Sequence, residues 1–245
     1  MSYSGLDEYT FGELKKLAFD MGLKSRRSRK EYIRDISHAF DEYKKYKTDK
    51  IDKYTKVRQL GNKGKEGVTY LVNDKNGKEF AMKTFRKTKS SNTLKREYSF
   101  QKRASLAGIS PRVVEYDTVS KYIVMEKMDE HLLDVIKNKK GELPRKYQQQ
   151  IIDIFQTLDS IDVFHADSNI LNYMLKNGKV YIIDFGFAKE INSRLTKKLK
   201  TNVPNVCFMT LGLVLKLRDM GCKPSSWKYL KKYISRDDIN KFQIE

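Results

Sequence analysis

The chain has little of what secreted and membrane proteins depend on. It contains two cysteines, Cys207 and Cys222, whose separation matches no metal-site spacing, so we expect reduced thiols in an intracellular protein. No stretch approaches the ~20 consecutive apolar residues of a membrane span, and the best one, residues 208–217, is too short. The first ten residues lack the basic and then apolar pattern of a signal peptide. The sequence therefore predicts no membrane partner.

Charge is unevenly distributed along the chain, whose net charge is +19. Residues 1–60, 61–110 and 191–245 carry net charges of +5, +8 and +8, whereas residues 111–190 carry −2. The basic segments indicate a polyanionic partner or an acidic substrate. A lysine-rich composition with solvated side chains gives the same numbers, and both interpretations are open at this point.

Three oxygen-bearing side chains stand at fixed spacing within the one segment that is not basic. Asp167 is followed five residues later by Asn172, and Asp184 comes twelve residues after that. Three such side chains at this spacing are typical of a site that binds a Mg²⁺-nucleotide while a hydroxyl attacks its terminal phosphate.

A predicted hairpin explains why two of these side chains would meet. Asn-Gly at 177–178 lies between two apolar runs, which is the strongest short-range hairpin signal. A two-residue turn places Asn172 opposite Ile183, and a three-residue loop places it opposite Ile182. In either register Asn172 lies beside Asp184, and neighbouring strands are ~4.8 Å apart. Both side chains could then reach one cation.

The motif His-Ala-Asp-x-x-x-x-Asn, followed after the hairpin by Asp-Phe-Gly, resembles the catalytic loop and the metal-binding motif of the protein kinases. The resemblance implies that Asp167 is the catalytic base that orients a substrate hydroxyl. It implies that Asn172 and Asp184 bind Mg²⁺ and that ATP is the phosphate donor. His165 would pack and hydrogen-bond, and would not act as a base.

A glycine-rich turn upstream extends this resemblance. Gly61, Gly64 and Gly67 lie between two predicted strands, where glycine allows the backbone to approach phosphates closely. The turn resembles the nucleotide-binding glycine loop of kinases, although the family's first glycine position is Asn62 here, with Gly61 one place early.

The next strand, Phe80-Ala81-Met82-Lys83, matches the Ala-x-Lys strand of the kinases. The resemblance implies that Ala81 and Lys83 bind nucleotide, with Lys83 on the α- and β-phosphates. A three-residue loop between the two strands places Thr69 opposite Lys83 and a two-residue loop places Tyr70 there; the family resemblance favours Thr69. Glu97 is the only acid of the following predicted helix, and we expect it to pair with Lys83.

The predicted strand 122–125 leads to a crossing point at 126–128. By the same resemblance, backbone groups of Glu126 and Met128 would hydrogen-bond adenine, and Met125 would line the back of its pocket.

The second half of the chain departs from the kinase pattern. It has no Ala-Pro-Glu motif, and Asn169 stands where Ser/Thr kinases commonly have lysine. The aspartate usual near the start of the central hydrophobic helix would fall at Cys207. This predicts a truncated C-lobe, as in small atypical kinases of the RIO type and of the tRNA-modification complex, and in kinase-like proteins of large DNA viruses. Resemblance to the cellular kinases implies cytoplasm or nucleus, and resemblance to the viral proteins implies a virion or an infected host cell.

Residues 10–40 are predicted to form two short helices. Capping boxes open them at Thr10 to Glu13 and at Ser28 to Glu31, and Gly22 ends the first helix. Lysines alternate with acids in residues 41–56, which indicates a solvated helix end and linker.

The pattern Leu14-x-x-Leu17 with Gly22-Leu23 and a basic start to the second helix resembles the SAP domain, a helix-loop-helix module that binds DNA. A helical cap that packs on the next domain is the alternative. The resemblance implies that five residues contact phosphates of DNA or another polyanion: Lys24, Arg26, Arg27, Arg29 and Lys30.

The predicted fold class is α+β. We expect a SAP-like all-α module with its linker at 1–50, an antiparallel β-sheet N-lobe of kinase type at 51–128, and a truncated helical C-lobe at 129–245. The expected function is an ATP- and Mg²⁺-dependent phosphotransferase, a serine/threonine protein kinase acting on a protein substrate. A small-molecule phosphotransferase of the aminoglycoside or choline type and a nucleic-acid-binding scaffold of kinase fold are the alternatives.

Overall fold

The computed structural model describes residues 3–51, 53–61, 64 and 67–244. The chain divides into two compact units, of which one holds residues 1–55 together with 74–76 and the other holds the rest. No helix within the described ranges is both long and apolar enough to cross a membrane.

The first unit is a small helical module. It contains a short 3₁₀ helix, Tyr3–Glu8, followed by α1 (Phe11–Asp20) and α2 (Arg29–Ile51). The helix pair encloses a core of five buried side chains: Leu6, Leu14, Ala18, Tyr32 and Ile36.

Both predicted capping boxes are confirmed. Glu13 accepts the backbone N–H of Thr10 at 2.8 Å and donates its own N–H to the Thr10 hydroxyl at 3.3 Å. Ser28 and Glu31 exchange the same pair of bonds, at 3.0 and 3.2 Å. Gly22 follows α1 with φ +72°, the left-handed conformation that glycine adopts without strain. The lysine-rich stretch remains helical through Ile51, so the helix end is longer than its composition indicated.

A five-stranded sheet begins the second unit. Its strands lie in the order β1-β2-β3-β5-β4, and the pairs β2–β3, β3–β5 and β4–β5 are antiparallel. One helix, α3 (Ser91–Leu106), connects β3 to β4. The strands are β1 (Thr55–Leu60), β2 (Gly67–Asn73), β3 (Glu79–Phe85), β4 (Val113–Asp117) and β5 (Tyr122–Glu126).

The remainder of this unit is mainly helical, with short strands around the catalytic motif. Its helices are α4 (Leu132–Asn138), α5 (Arg145–Ser160), α6 (Ser193–Leu199), α7 (Thr210–Asp219) and α8 (Arg236–Phe242), and a turn of π-helix, Asn205–Met209, precedes α7. Its strands are β6 (Glu130–His131), β7 (Val163–Phe164), β8 (Tyr173–Lys176), β9 (Lys179–Ile182) and β10 (Lys189–Glu190).

The core of this lobe surrounds α5. Ile151, Phe155 and Leu158 on one face of α5 are fully buried, as are Leu213 and Val214 of α7. Apolar side chains at helical spacing account for this packing, since they form a stripe that must be covered.

The two lobes meet along α3. At its last turn Arg103 donates to Glu190 at 2.7 Å and also to the carbonyl of Ile161. The predicted α+β class, with an antiparallel sheet in one lobe and helices in the other, is confirmed.

Candidate active site

Asp167 lies in the loop that follows β7, and its carboxylate is held from two sides. One oxygen accepts the backbone N–H of Asn169 at 3.1 Å. The other accepts the side-chain amide of Asn172 at 2.9 Å. The preceding residue, Ala166, has φ 63°, a left-handed conformation that costs energy for any residue with a Cβ. The chain is therefore turned sharply just before Asp167.

The hairpin of β8 and β9 brings Asn172 next to Asp184. Tyr173 pairs with Ile182, which is the register of a two-residue turn. Beyond that pair the N–H of Ile183 donates to the carbonyl of Asn172 at 2.9 Å. Of the two registers that the sequence left open, the two-residue turn is correct.

Lys83 lies at the centre of the ionic contacts in the site. Thr69 is its partner across β2 and β3, as the three-residue loop required. The Lys83 ammonium is 2.8 Å from a carboxylate oxygen of Glu97 and 2.8 Å from one of Asp184. The expected pairing of Lys83 with Glu97 is thus present, and Asp184 joins it from the other lobe.

Charge and burial act in opposite directions on these groups. Burial lowers the pKa of Lys83, but the carboxylates of Glu97 and Asp184 outweigh it, so its pKa is raised above the ordinary value. Burial raises the pKa of Asp184, but the positive charge and hydrogen bond of Lys83 outweigh it and the pKa is lowered. Both groups are therefore charged across the neutral range.

Asp184 itself is held in an uncommon conformation. Its φ is 67° and its ψ is 74°, and its carboxylate accepts the N–H of Gly186 at 3.4 Å. Left-handed non-glycine residues concentrate at functional sites, because the surrounding structure must maintain them. Ala166 and Asp184 place two such residues in this site.

His165 is fully buried, and burial lowers its pKa, so the ring is neutral at physiological pH. Its Nε2–H donates to the carbonyl of Ile183 at 3.0 Å, and its ring packs edge-on against Phe185 with the centroids 4.9 Å apart. The residue links the catalytic loop to the Asp-Phe-Gly segment by packing and hydrogen bonding.

The expected adenine-binding residues lie at the end of β5. Ala81 pairs with Met125 across β3 and β5, and both side chains are buried. The N–H of Glu126 donates to the carbonyl of Arg112 at 2.8 Å. Adenine recognition at Glu126 would therefore use its carbonyl oxygen. Met128 is also buried.

The glycine-rich turn is described in part. Asn62, the family's first glycine position, lies outside the described residues, while Gly61 has φ +68° and Gly64 donates its N–H to the carbonyl of Gly67 at 3.0 Å. Gly67 has an additional reason to be glycine, since a Cβ there would lie 2.0 Å from the carbonyl oxygen of Thr84 on β3.

Sequence reasoning missed Asn205, which supports the catalytic loop from the π-helical turn. Its side-chain oxygen accepts the N–H of His165 at 3.0 Å. Its amide nitrogen donates to Asp159 and to the carbonyl of Val163, both at 2.7 Å. The kinase resemblance places the family's usual aspartate at Cys207, two residues later. The sequence carries no local signal for this role, because the side-chain partners of Asn205 are 40 to 46 residues away in sequence.

Gly212 also supports this loop, because it lets α7 approach closely. A Cβ at Gly212 would lie 2.4 Å from the Ser168 hydroxyl, next to Asp167. Glycine at this position therefore has a packing reason.

The donor set fits a cation bound together with a nucleotide. Over the ranges that the structure describes, no three His, Cys, Asp or Glu side chains lie close enough to share a metal ion. Mg²⁺ in nucleotide enzymes binds to one or two carboxylates and completes its shell with phosphate and water oxygens. Asp184 supplies a carboxylate, and Asn172 retains its amide oxygen because Nδ2 is the atom that donates to Asp167.

In the helical module, the five predicted polyanion-binding residues fall into two groups. Arg26 forms an ion pair with Asp35, and Arg29 donates to the backbone carbonyls of Tyr9 and Asp7. The side chain of Arg29 is exposed, as are those of the other three residues: Lys24, Arg27 and Lys30.

The family model for the protein kinase domain matches residues 54–212. The KEOPS complex subunit Bud32 of Pyrococcus abyssi is 33% identical over 96 residues, which are 38% of this chain and 44% of that protein. The chain thus spans less than half the length of this curated relative. Because the family model covers more than half of the chain, from β1 into α7, the chain belongs to the protein kinase family.

Proposed function

We propose that this kinase transfers the γ-phosphate of ATP to a serine or threonine hydroxyl of a protein and requires Mg²⁺. The observation that carries the proposal is the joined set of charged groups, in which Lys83 contacts both Glu97 and Asp184 at 2.8 Å. Phosphoryl transfer depends mainly on positioning and on neutralising charge. The chain presents the groups for both tasks.

Asp167 would orient the attacking hydroxyl. Its carboxylate is fixed by Asn169 and Asn172, so an incoming hydroxyl meets an acceptor whose direction is already set. This arrangement reduces the reorganisation needed before transfer. The proton of the hydroxyl would pass to the Asp167 carboxylate.

Lys83 would hold the α- and β-phosphates, and Glu97 would keep its ammonium in place. Asp184 and the amide oxygen of Asn172 would hold Mg²⁺, which would supply positive charge to neutralise the phosphates. The backbone at Gly61, Gly64 and Gly67 would cover the phosphates. Adenine would occupy the space beside Ala81, Met125, Glu126 and Met128.

The test is transfer from γ-labelled ATP with Mg²⁺, using casein, a basic protein and the chain itself as acceptors. We expect label on serine or threonine, reduced to background by Asp167→Ala and unaffected by Asp237→Asn, a change at an exposed carboxylate of α8. Label that persists in Asp167→Ala would overturn the site assignment. Turnover on aminoglycosides or choline without protein labelling would favour a small-molecule phosphotransferase, and nucleotide binding without any transfer would favour a scaffold.

We also propose that the helical module binds DNA or another polyanion. The exposed side chains of Lys24, Arg27 and Lys30 lie on the loop and the first turn of α2, where N–H groups and basic side chains favour anions together. Arg26 and Arg29 would add positive charge to this surface, and their hydrogen bonds would stabilise the conformation of the loop between α1 and α2.

A further inference from the structure

Glu97 is paired with two lysines. One carboxylate oxygen accepts the Lys83 ammonium at 2.8 Å, and the other accepts the Lys89 ammonium at 2.6 Å. The side chain of Glu97 is 1% exposed and that of Lys89 is 7% exposed, so the Lys89–Glu97 ion pair is almost completely shielded from solvent. Removing one partner of a buried ion pair is strongly destabilising, because it leaves a charge without its compensating partner.

Lys89 is also held at a defined place in the fold. It immediately precedes Ser90, whose hydroxyl caps α3 by accepting the N–H of Thr93 at 3.1 Å. Its carbonyl accepts the Lys121 ammonium at 2.8 Å. Its own ammonium lies 4.4 Å from the ring centre of Phe85, the last residue of β3. Backbone and side chain of Lys89 therefore tie the start of α3 to the end of β3.

Lys83 alone would hold Glu97 weakly during the reaction. Its ammonium has three N–H donors, and it already contacts Glu97 and Asp184. In the proposed function it must also bind phosphates. The Lys89 ammonium is shielded from solvent between Glu97 and the Phe85 ring, so it can remain on Glu97 while the other contacts of Lys83 change.

We propose that Lys89 is a positioning residue of the kinase reaction, which holds Glu97 and the helix α3 in place so that Lys83 is available to the phosphates. This inference rests on the proposed function and deepens it. Lys89 acts through Glu97 and does not touch the nucleotide.

Steady-state kinetics of Lys89→Met would test it. We expect kcat to fall about tenfold while the KM for ATP changes little, because the adenine contacts are untouched. Lys89→Arg retains a donor and should recover part of the loss. Lys87→Met removes an exposed lysine from the same loop and serves as the matched control, with no expected change.

A double-mutant cycle separates this positioning role from a general structural one. If Lys89 acts through Glu97, Lys89→Met should lower the residual kcat of Glu97→Gln by less than twofold, whereas independent effects would multiply. Multiplicative losses would overturn the proposal. So would a kcat of Lys89→Met equal to that of the wild-type chain.

Hydrogen exchange of α3 gives a second measurement that needs no activity. Amides of α3 should exchange faster in Lys89→Met than in Lys87→Met, since the first turn has lost its anchor. Equal protection in the two variants would contradict the proposal. If the wild-type chain transferred no phosphate, the proposed function would fail, and this exchange experiment would still decide whether Lys89 holds α3.

Discussion

At the scale of single residues, the site depends on charges that neutralise one another. Lys83 lies between Glu97 and Asp184, which belong to different lobes. Asp184 is distant in sequence from the other two, and folding brings it to them. The Ala-x-Lys and Asp-Phe-Gly patterns predicted Lys83 and Asp184, and Glu97 was predicted because it is the only acid of the helix that follows Lys83. The second partner of Glu97, Lys89, was not predicted, since lysine in a basic loop carries no distinguishing signal.

Removing either partner of the Lys83–Asp184 ion pair, which joins the two lobes, should abolish phosphoryl transfer. We expect Lys83→Met and Asp184→Ala each to lower kcat by about 100-fold or more, since both groups would stabilise the charge that develops during transfer. Lys95→Met, at an exposed position of α3, is the charge-matched control for Lys83. Initial rates with labelled ATP measure the effect, and near wild-type rates in either variant would show that the site has been assigned wrongly.

The shifted pKa values predict how stability changes with pH. The pKa of Asp184 is lowered in the folded chain, mainly because the charge of Lys83 outweighs burial. Its stabilising contribution is therefore complete above the unfolded value of about 4 and is lost as the pH falls through the lower folded value. The pKa of Lys83 is raised, so its contribution persists up to about pH 10 and is lost above that.

Urea unfolding of the wild-type chain and of Asp184→Asn checks this. The difference in free energy of unfolding should be constant from about pH 5 to 8 and should shrink below about pH 4. A difference that instead grows on acidification would mean that Asp184 is not stabilised as an anion.

At the scale of secondary-structure elements, turn and capping patterns in the sequence predicted the hairpin and the helix starts. They did not predict contacts between residues that are distant in sequence. The Asn-Gly turn predicted the hairpin but left Asn172 opposite either Ile182 or Ile183, and the structure has Ile183. The two capping boxes predicted the starts of α1 and α2. The π-helical turn before α7 carries no comparable local signal. The side chain of Asn205 hydrogen-bonds to His165, Val163 and Asp159. These partners are brought to it only by the packing of the elements, so the sequence pattern does not predict them.

Asn205 offers a test of this element, because the family's usual aspartate should be harmful here. Asn205→Asp keeps the acceptor for the N–H of His165 but replaces the donor to Asp159 with a second carboxylate. Burial already raises the pKa of Asp159, and a neighbouring acid would force one of the two to hold a proton. We expect the variant to lose activity as the pH rises from about 6 to 8, as the shared proton is released.

Asn205→Leu should be impaired at every pH and destabilised by about 3 kcal/mol, since it leaves buried polar groups unpaired. Kinetics and thermal unfolding of both variants between pH 6 and 8 measure these effects. A pH profile of Asn205→Asp that matches the wild-type profile would show that the contact with Asp159 does not govern the catalytic loop.

At the scale of the whole molecule, sequence reasoning predicted the class and the family more securely than the partners. A sheet lobe followed by a helical lobe follows from motif order, and the matched kinase domain covers residues 54–212. What the chain binds depends on how charge is arranged in space. A net charge of +19 is compatible with a polyanion-binding surface and with solvated lysines alike. The structure separates the basic residues of the helical module into those with hydrogen-bonded partners, which include Arg26 and Arg29, and the rest.

The helical module gives a charge-matched test of that question. In the full-length chain, Lys24→Gln with Lys30→Gln removes two exposed charges from the proposed contact surface, and Lys15→Gln with Lys16→Gln removes two exposed charges from α1. If the surface binds phosphates, the first pair should weaken DNA binding and reduce the slope of log affinity against log salt by about 2. The second pair should change both much less, since its charges act only from a distance. Fluorescence anisotropy with a labelled duplex from low to physiological salt measures both quantities. Equal losses in the two variants would mean that binding responds to net charge alone, and the basic residues between the two helices would then be an ordinary solvated surface.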